Sequence, residues 1–399
     1  MNRQRIQLYV LGLMLVASFL PGCSTSPTAI PIPPTATAVP PTATHAPPTA
    51  TITLVPRTAT PIPPTKTPTI TPTPTKMPTP ELSLRAFAFK RHILIGAAVS
   101  TDSLRKDTLY SQTLSREFSV LTPENVMKFA PLHPAKDRYD FREADALVDF
   151  AGAQSMQVRG HTLVWHNNLP NWLTEGKFSR DELTAILREH IVTVVGRYRS
   201  RVAAWDVVNE AINDDGSLRD TIWLRGIGPE YIDLAFRWAH ETDPQARLFY
   251  NDYGGEGLGR KSDAIYSLVQ GMLQRGVPIN GVGLQMHLSL ESPPKPQDIS
   301  SNIKRLGALS LDVHITEMDV RIKGTPTADN LTAQARIYGD IFQACLSSEN
   351  CKAFVTWGFT DRYSWIPDFF KGYGAGLLFD ESYRPKPAYK AIMGALTAR

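Results

Sequence analysis

Eight short apolar runs, most of them followed by a stretch with helical periodicity, constrain the fold of this chain more than any other feature. The runs are Ile93–Val99, Phe118–Thr122, Gln157–Val164, Val202–Val208, Arg247–Asn251, Gly281–Met286, Leu311–Thr316 and Ala353–Trp357. Each reads as a buried parallel strand, because such strands are covered on both faces and need apolar side chains on both. Between them, Phe141–Ala153 puts Ala144, Leu147, Val148 and Ala151 on one helical face, with Asp140 and Glu143 expected at its N-terminal cap. Ser179-Arg180-Asp181-Glu182 spells a capping box ahead of a stripe of Leu183, Ile186, Leu187, Ile191, Val194 and Val195. Strand–helix alternation repeated eight times predicts the α/β class and a (β/α)8 barrel of the TIM type. A doubly wound open sheet is the alternative, but no Gly-rich phosphate loop follows the first run.

The barrel takes up residues 81–399, and what precedes it differs in composition. Residues 1–22 read as a signal peptide: Arg3 and Arg5 lead an apolar stretch from Ile6 to Leu20 that is short for a membrane span. The stretch ends in Leu20-Pro21-Gly22-Cys23, which resembles a lipoprotein signal whose cysteine becomes the lipidated N-terminus, although Pro21 is unusual there. Ordinary cleavage and an uncleaved anchor are the alternatives. Residues 23–80 are dominated by Pro and Thr and hold no acidic residue, so they cannot bury a core and are expected to stay extended as a stalk. At about 3.1 Å per residue such a stalk reaches well over 100 Å. The expectation is an exported protein, secreted or held at the cell surface by a lipid on Cys23. Five basic residues lie before residue 81, so the formal net charge of +4 leaves the remainder at −1. A nucleic-acid surface is therefore not expected. Cys345 and Cys351, close in sequence in an exported chain, read as a local disulfide, with two free thiols as the alternative.

In a barrel of this kind the strand C-terminal ends build the site. Polar or aromatic residues gather at those ends: Glu124 and Asn125, then His161, Trp165 and His166, Asn209 and Glu210, Asn251 and Asp252, Gln285 and His287, Glu317 and Asp319, and Trp357. A single such residue is usually a cap, whereas repetition around the ring implies a site. Two glutamates stand out, Glu210 in W-D-V-V-N-E-A and Glu317 in H-I-T-E-M-D. Cleaving a glycosidic bond needs a proton for the leaving oxygen and negative charge beside the developing oxocarbenium ion. A pair of carboxylates supplies both when their surroundings separate their pKa values. On this reading Glu317 is the nucleophile, oriented by Asp319 and His287, and Glu210 is the acid and then the base. Trp165, Trp357 and Trp365 could stack on sugar faces, while Asn125, Lys128, His161, Asn209 and Gln285 could bind hydroxyls. Neither cysteine lies near histidines of metal-ligand spacing, and no metal is expected.

These residues fall in seven ordered motifs: T-P-E-N-V-M-K-F (Thr122 to Phe129), G-H-T-L-V-W-H (Gly160 to His166), W-D-V-V-N-E-A, Y-N-D-Y (Tyr250 to Tyr253), G-V-G-L-Q-M-H (Gly281 to His287), I-T-E-M-D and T-W-G-F-T-D-R-Y-S-W (Thr356 to Trp365). In them the chain resembles glycoside hydrolase family 10, the retaining endo-β-1,4-xylanases, over about residues 85–397. The resemblance implies a barrel without a cofactor that acts on xylan and xylo-oligosaccharides, expected here as a monomer. It implies Glu210 as acid/base and Glu317 as nucleophile. It also implies that Glu124, Asn125 and Lys128 hold the sugar on the non-reducing side, and that Tyr253 lies on the leaving-group side. His161, Trp165, Asn209, Gln285, His287, Trp357 and Trp365 are implied to line the central subsites. The family often has a cysteine pair where Cys345 and Cys351 stand. Phe129, Asn168 and Gly254 depart from the family's usual Trp, Gln and Asn. A barrel hydrolase for another β-linked glucan and a non-catalytic carbohydrate-binding protein remain as alternatives.

Overall fold

The computed structural model describes residues 82–398. The signal peptide, the linker and Cys23 lie outside the described residues. Within them, eight parallel strands close on themselves: β1 Leu94–Val99, β2 Val120–Pro123, β3 Gln157–Val164, β4 Ala204–Asn209, β5 Arg247–Asp252, β6 Gly281–Leu284, β7 Asp312–Lys323 and β8 Cys351–Thr356. Each pairs with the next, and β8 returns to β1 with Leu94 opposite Ala353. The eight apolar runs therefore become the eight staves of a closed barrel, and the open sheet is excluded.

Burial explains why the runs were continuous in hydrophobicity. All six residues of β4 are buried, as are five of six in β1. Helices cover the outside with the faces their periodicity indicated. Ala144, Leu147, Val148 and Ala151 are the buried residues of Arg142–Ala153. In Arg180–Arg197 the stripe is buried except for the half-buried Ile186, and Ser179 and Glu182 form the reciprocal capping box.

Three expectations need correction. The N-cap of Arg142–Ala153 is Phe141, which makes no side-chain cap. Asp140 instead accepts the Arg142 N–H at 3.2 Å, and Glu143 pairs with Arg105 at 2.7 Å. The sixth run breaks after Leu284: Met286 turns at φ 64°, and His287–Ser289 re-pairs as a short strand with Asp319–Arg321. The seventh run does not end at Thr316. β7 continues to Lys323 because its far half has partners, His287–Ser289 on one edge and Tyr373–Gly374, antiparallel, on the other.

Candidate active site

The strand ends open into a cavity of about 890 Å³. Its wall holds both glutamates, together with Lys128, His161, Trp165, Asn209 and Tyr253 from the ends of β2 to β5. Gln285, His287, Trp357 and Trp365 line it as well. Glu124 and Asn125 are not among the residues that line it. Asn125 is exposed, and its Oδ1 accepts from Lys128 Nζ at 2.7 Å, while Glu124 Oε1 accepts from Asn125 at 3.4 Å. Lys128 Nζ also lies 5.1 Å from the Trp165 ring centroid.

Glu317 is buried at 4% exposure in the middle of β7. Its Oε2 accepts from His287 Nε2 at 3.1 Å, and its Oε1 accepts from Asn251 Nδ2 at 2.7 Å. Burial alone would raise this carboxyl, but the His287 hydrogen bond and the neighbouring His161 and His287 outweigh it and hold it below the usual value. On the far side of the imidazole, His287 Nδ1 lies 2.8 Å from Asp319 Oδ2, which also accepts from Trp365 Nε1 at 2.9 Å. Burial opposes charge on His287, yet Asp319 and then Glu317 raise its pKa to about 10. At neutral pH the ring is thus an imidazolium clamped between two carboxylates, donating from both nitrogens. A Cβ at position 283 would lie 2.1 Å from Asn251 Oδ1, so Gly283 makes room for the amide that holds Glu317.

Glu210 is built differently. It is half-buried, and its backbone is left-handed at φ 58°, a conformation non-glycine residues adopt only when held. Its N–H donates to Asn251 O at 2.9 Å, and its carbonyl accepts from Arg219 Nε at 2.8 Å. The next N–H, that of Ala211, donates to the Tyr250 hydroxyl at 3.1 Å. The side chain then points into the cavity, where Oε2 accepts from Trp165 Nε1 at 2.9 Å and Oε1 accepts from Gln285 at 3.0 Å and Asn209 at 3.2 Å. Asn209 Oδ1 in turn accepts from Asn251 Nδ2 at 2.8 Å, so side-chain amides connect the two glutamates.

Beneath the site lies a polar layer that the apolar reading of the strands did not reveal. Arg159 and Asp206, both buried, pair with each other, and His161 Nδ1 lies 3.0 Å from Asp206. Burial raises the Asp206 carboxyl, but Arg159 and His161 bring it below its usual value. His314 is buried and pushed well below its normal range by burial and by Arg159, so its Nδ1 accepts from Arg159 at 2.8 Å. Sequence reasoning also missed Arg219, whose Nη2 donates to the Tyr253 hydroxyl at 3.1 Å. No motif marks it; only the fold brings it under Glu210.

The model of the glycosyl hydrolase family 10 matches residues 83–395, nearly all of the described chain. The chain belongs to glycosyl hydrolase family 10. A curated relative, endo-1,4-beta-xylanase B of Thermotoga neapolitana, is 46% identical over 318 residues, covering 78% of this chain and 91% of the relative. Exoglucanase XynX of Acetivibrio thermocellus is 38% identical over 317 residues, 76% of this chain but only 29% of that larger protein. Xylanase 10B of Thermotoga petrophila RKU-1, solved with xylobiose, superposes with a TM-score of 0.77 at 47% identity, covering 79% of this chain and 97% of that one.

Within this family 10 hydrolase, the three departures have local structural settings. Phe129 does not line the cavity; it is buried 3.7 Å from the His190 ring centroid and stacked on it. Asn168 is exposed and left-handed at φ 54°, which Asn tolerates, and its carbonyl accepts from the Ala130 N–H at 2.9 Å. Its neighbour Asn167, and not Asn168, is among the residues that line the cavity. Gly254 is left-handed at φ 68°, again a place suited to Gly or Asn. Cys345 and Cys351 are joined in a disulfide with Cα atoms 5.2 Å apart.

Proposed function

We propose that this glycoside hydrolase is an endo-1,4-β-xylanase that cuts internal β-1,4 bonds of xylan with retention of configuration. Glu317 is the nucleophile and Glu210 the acid/base. The observation that carries this reading is the unequal wiring of two carboxylates in one cleft. Glu317 is kept ionised by the His287 imidazolium, ready to attack the anomeric carbon. Glu210 is fixed by its backbone, and Trp165, Gln285 and Asn209 aim its carboxyl into the cavity. In the first step Glu210 protonates the leaving oxygen as Glu317 forms a glycosyl–enzyme bond. In the second, ionised Glu210 takes a proton from water, which displaces Glu317 from the same face the leaving group vacated. Stacking on Trp165, Trp357 and Trp365 and hydrogen bonds from Lys128, His161, Asn209 and Gln285 would hold the sugars, with Tyr253 on the leaving-group side.

The test is a proton NMR time course with a linear β-1,4-xylo-oligosaccharide. Early β-anomer, before mutarotation, supports double displacement; early α-anomer would remove Glu317 as nucleophile. The likeness to an exoglucanase keeps a second reading open, a hydrolase for another β-linked glucan. Faster turnover of a cellulose derivative than of xylan would favour it. For the whole chain, we propose export and tethering through a lipid on Cys23, with the Pro/Thr-rich stretch as a stalk. Mature protein free in the medium with an unmodified N-terminus would overturn the tether.

A further inference from the structure

β7 carries more than the nucleophile. Side chains two apart in a strand share a face, so Glu317, Asp319 and Arg321 form one row along it. Arg321 stands about 13 Å along the strand from Glu317, at about 3.3 Å per residue, and lines the same cavity. That spacing is too long for contact with a sugar bonded to Glu317 and suits a group further along the bound chain.

The surroundings of Arg321 are unusual for a buried-side cation. Its guanidinium lies 4.1 Å from the Phe370 ring centroid and 5.7 Å from that of Tyr373, which hold it by cation–π contact. One N–H donates to Leu288 O at 3.3 Å. Among the described residues no carboxylate lies within 4.0 Å of it, the distance that would count as an ion pair. The other arginines deep in the barrel end are engaged otherwise: Arg159 pairs with Asp206, and Arg219 is bound to the Glu210 carbonyl and the Tyr253 hydroxyl. Beside Arg321 the cavity wall includes Phe369, which is 69% exposed, an aromatic face left to solvent at the rim.

A planar guanidinium stacked on aromatic rings, with most of its donors unused, is built to receive a carboxylate through two parallel hydrogen bonds. A neutral sugar hydroxyl does not call for two parallel charged donors, whereas a carboxylate matches them. We propose that Arg321 is a specificity residue that binds the carboxylate of a uronic acid branch on the polysaccharide, with the branch ring seated against Phe369. The inference rests on the xylanase reading and deepens it: the favoured substrate is an acidic, uronic-acid-bearing xylan.

The experiment compares kcat/KM of the full chain on three substrates: a linear neutral xylo-oligosaccharide, a uronic-acid-substituted xylan, and the same polymer with its carboxyls reduced to hydroxymethyl groups. Reduction removes the charge and leaves the branch, so the ratio of acidic to reduced polymer isolates the carboxylate. That ratio should be about ten in the wild type, the effect of one charge-assisted contact, and should shrink with added salt. In Arg321→Met, which keeps an apolar stem against Phe370, it should fall to about one; in Arg321→Lys, a point charge without the fork, it should lie between. Turnover of the linear oligosaccharide with a wild-type ratio near one would overturn the proposal while leaving the xylanase reading intact. A uniform loss on both polymers in Arg321→Met, with the ratio kept, would make Arg321 a support for the Phe370–Tyr373 segment and overturn it equally. Failure to cleave any of the three would sink the xylanase reading and the inference with it.

Discussion

Glu317 and Glu210 line the same cavity yet are held by opposite means. Glu317 sits on a regular strand, and its side chain is controlled by charge: an imidazolium bonds it, and Asp319 stabilises that imidazolium from behind. Glu210 sits just past a strand end, and its backbone is controlled by geometry: a left-handed turn pinned by Asn251, Arg219 and Tyr250. A group that must stay ionised benefits from a fixed positive neighbour. A group that must meet the leaving oxygen is served by a rigid position. The difference in support matches the difference in proposed role.

Removing each carboxylate tests that match most severely. Glu317→Ala should lower kcat on every substrate on the order of 10⁵-fold, since no covalent intermediate can form. Glu210→Ala should cost about 10² to 10⁴ on xylan but much less in the glycosylation step of an aryl xyloside whose leaving group needs no proton. Azide makes the two distinguishable by product. It should give the α-azide through Glu317→Ala, by direct displacement, and the β-azide through Glu210→Ala, after the glycosyl enzyme has formed. Exchanged products would exchange the roles.

The charge-based support can be broken without touching either glutamate. In His287→Gln the Glu317 carboxyl loses one of the two histidines that hold it down, so the acid limb of kcat/KM should move up, with kcat lower by about 10². The same ring gives a stability signature. Its pKa is raised from 6.5 to about 10, so its contribution is fully present below pH 6.5, declines as pH rises through that window and is gone above about 10. Urea midpoints measured from pH 6 to 10 should therefore fall more steeply in the wild type than in His287→Gln. Parallel curves would mean that the ring is neutral and the clamp is not ionic. The geometric support is probed by Arg219→Gln. A turnover loss of about tenfold on xylan is expected, with little change on the activated aryl xyloside, because only the placement of the acid is disturbed.

How legible these features were in the sequence follows the same division. Glu317, His287, Gln285 and Asn209 each lie within or at the end of an apolar run, so one rule about barrel strands places them at the mouth. Arg219 lies in a connection nine positions beyond Glu210, and it acts on a carbonyl that every residue possesses; nothing in its side-chain type announces the contact. Arg159, Asp206 and His314 were hidden for a different reason. They sit inside strands whose apolar majority dominates any periodicity, and the charges of Arg159 and Asp206 are tolerable only because they satisfy each other, with His314 accepting from Arg159, across β3, β4 and β7. The break after Leu284 was equally invisible, since nothing in the residue types of Gln285-Met286 marks the positive φ at which Met286 turns the backbone.

The smallest expected effect separates the mouth of the barrel from its base. Cys351 opens β8 at the strand's N-terminal end, and Cys345 lies in the last turn of the helix Ala328–Leu346 that precedes it. The disulfide therefore closes a short loop at the end of the barrel opposite the glutamates. Closing a loop of this length restricts the unfolded chain by about 2 kcal/mol and adds nothing to the geometry of the cleft. Cys345→Ser/Cys351→Ser should lose about that much stability in urea unfolding, with kcat and KM on a linear xylo-oligosaccharide unchanged at 25 °C. A fall in kcat at a temperature where the variant is fully folded would mean that strain at the base reaches Trp357, one residue past β8, and so the site itself. That would undo the separation, because the two ends of one buried strand would then be mechanically coupled.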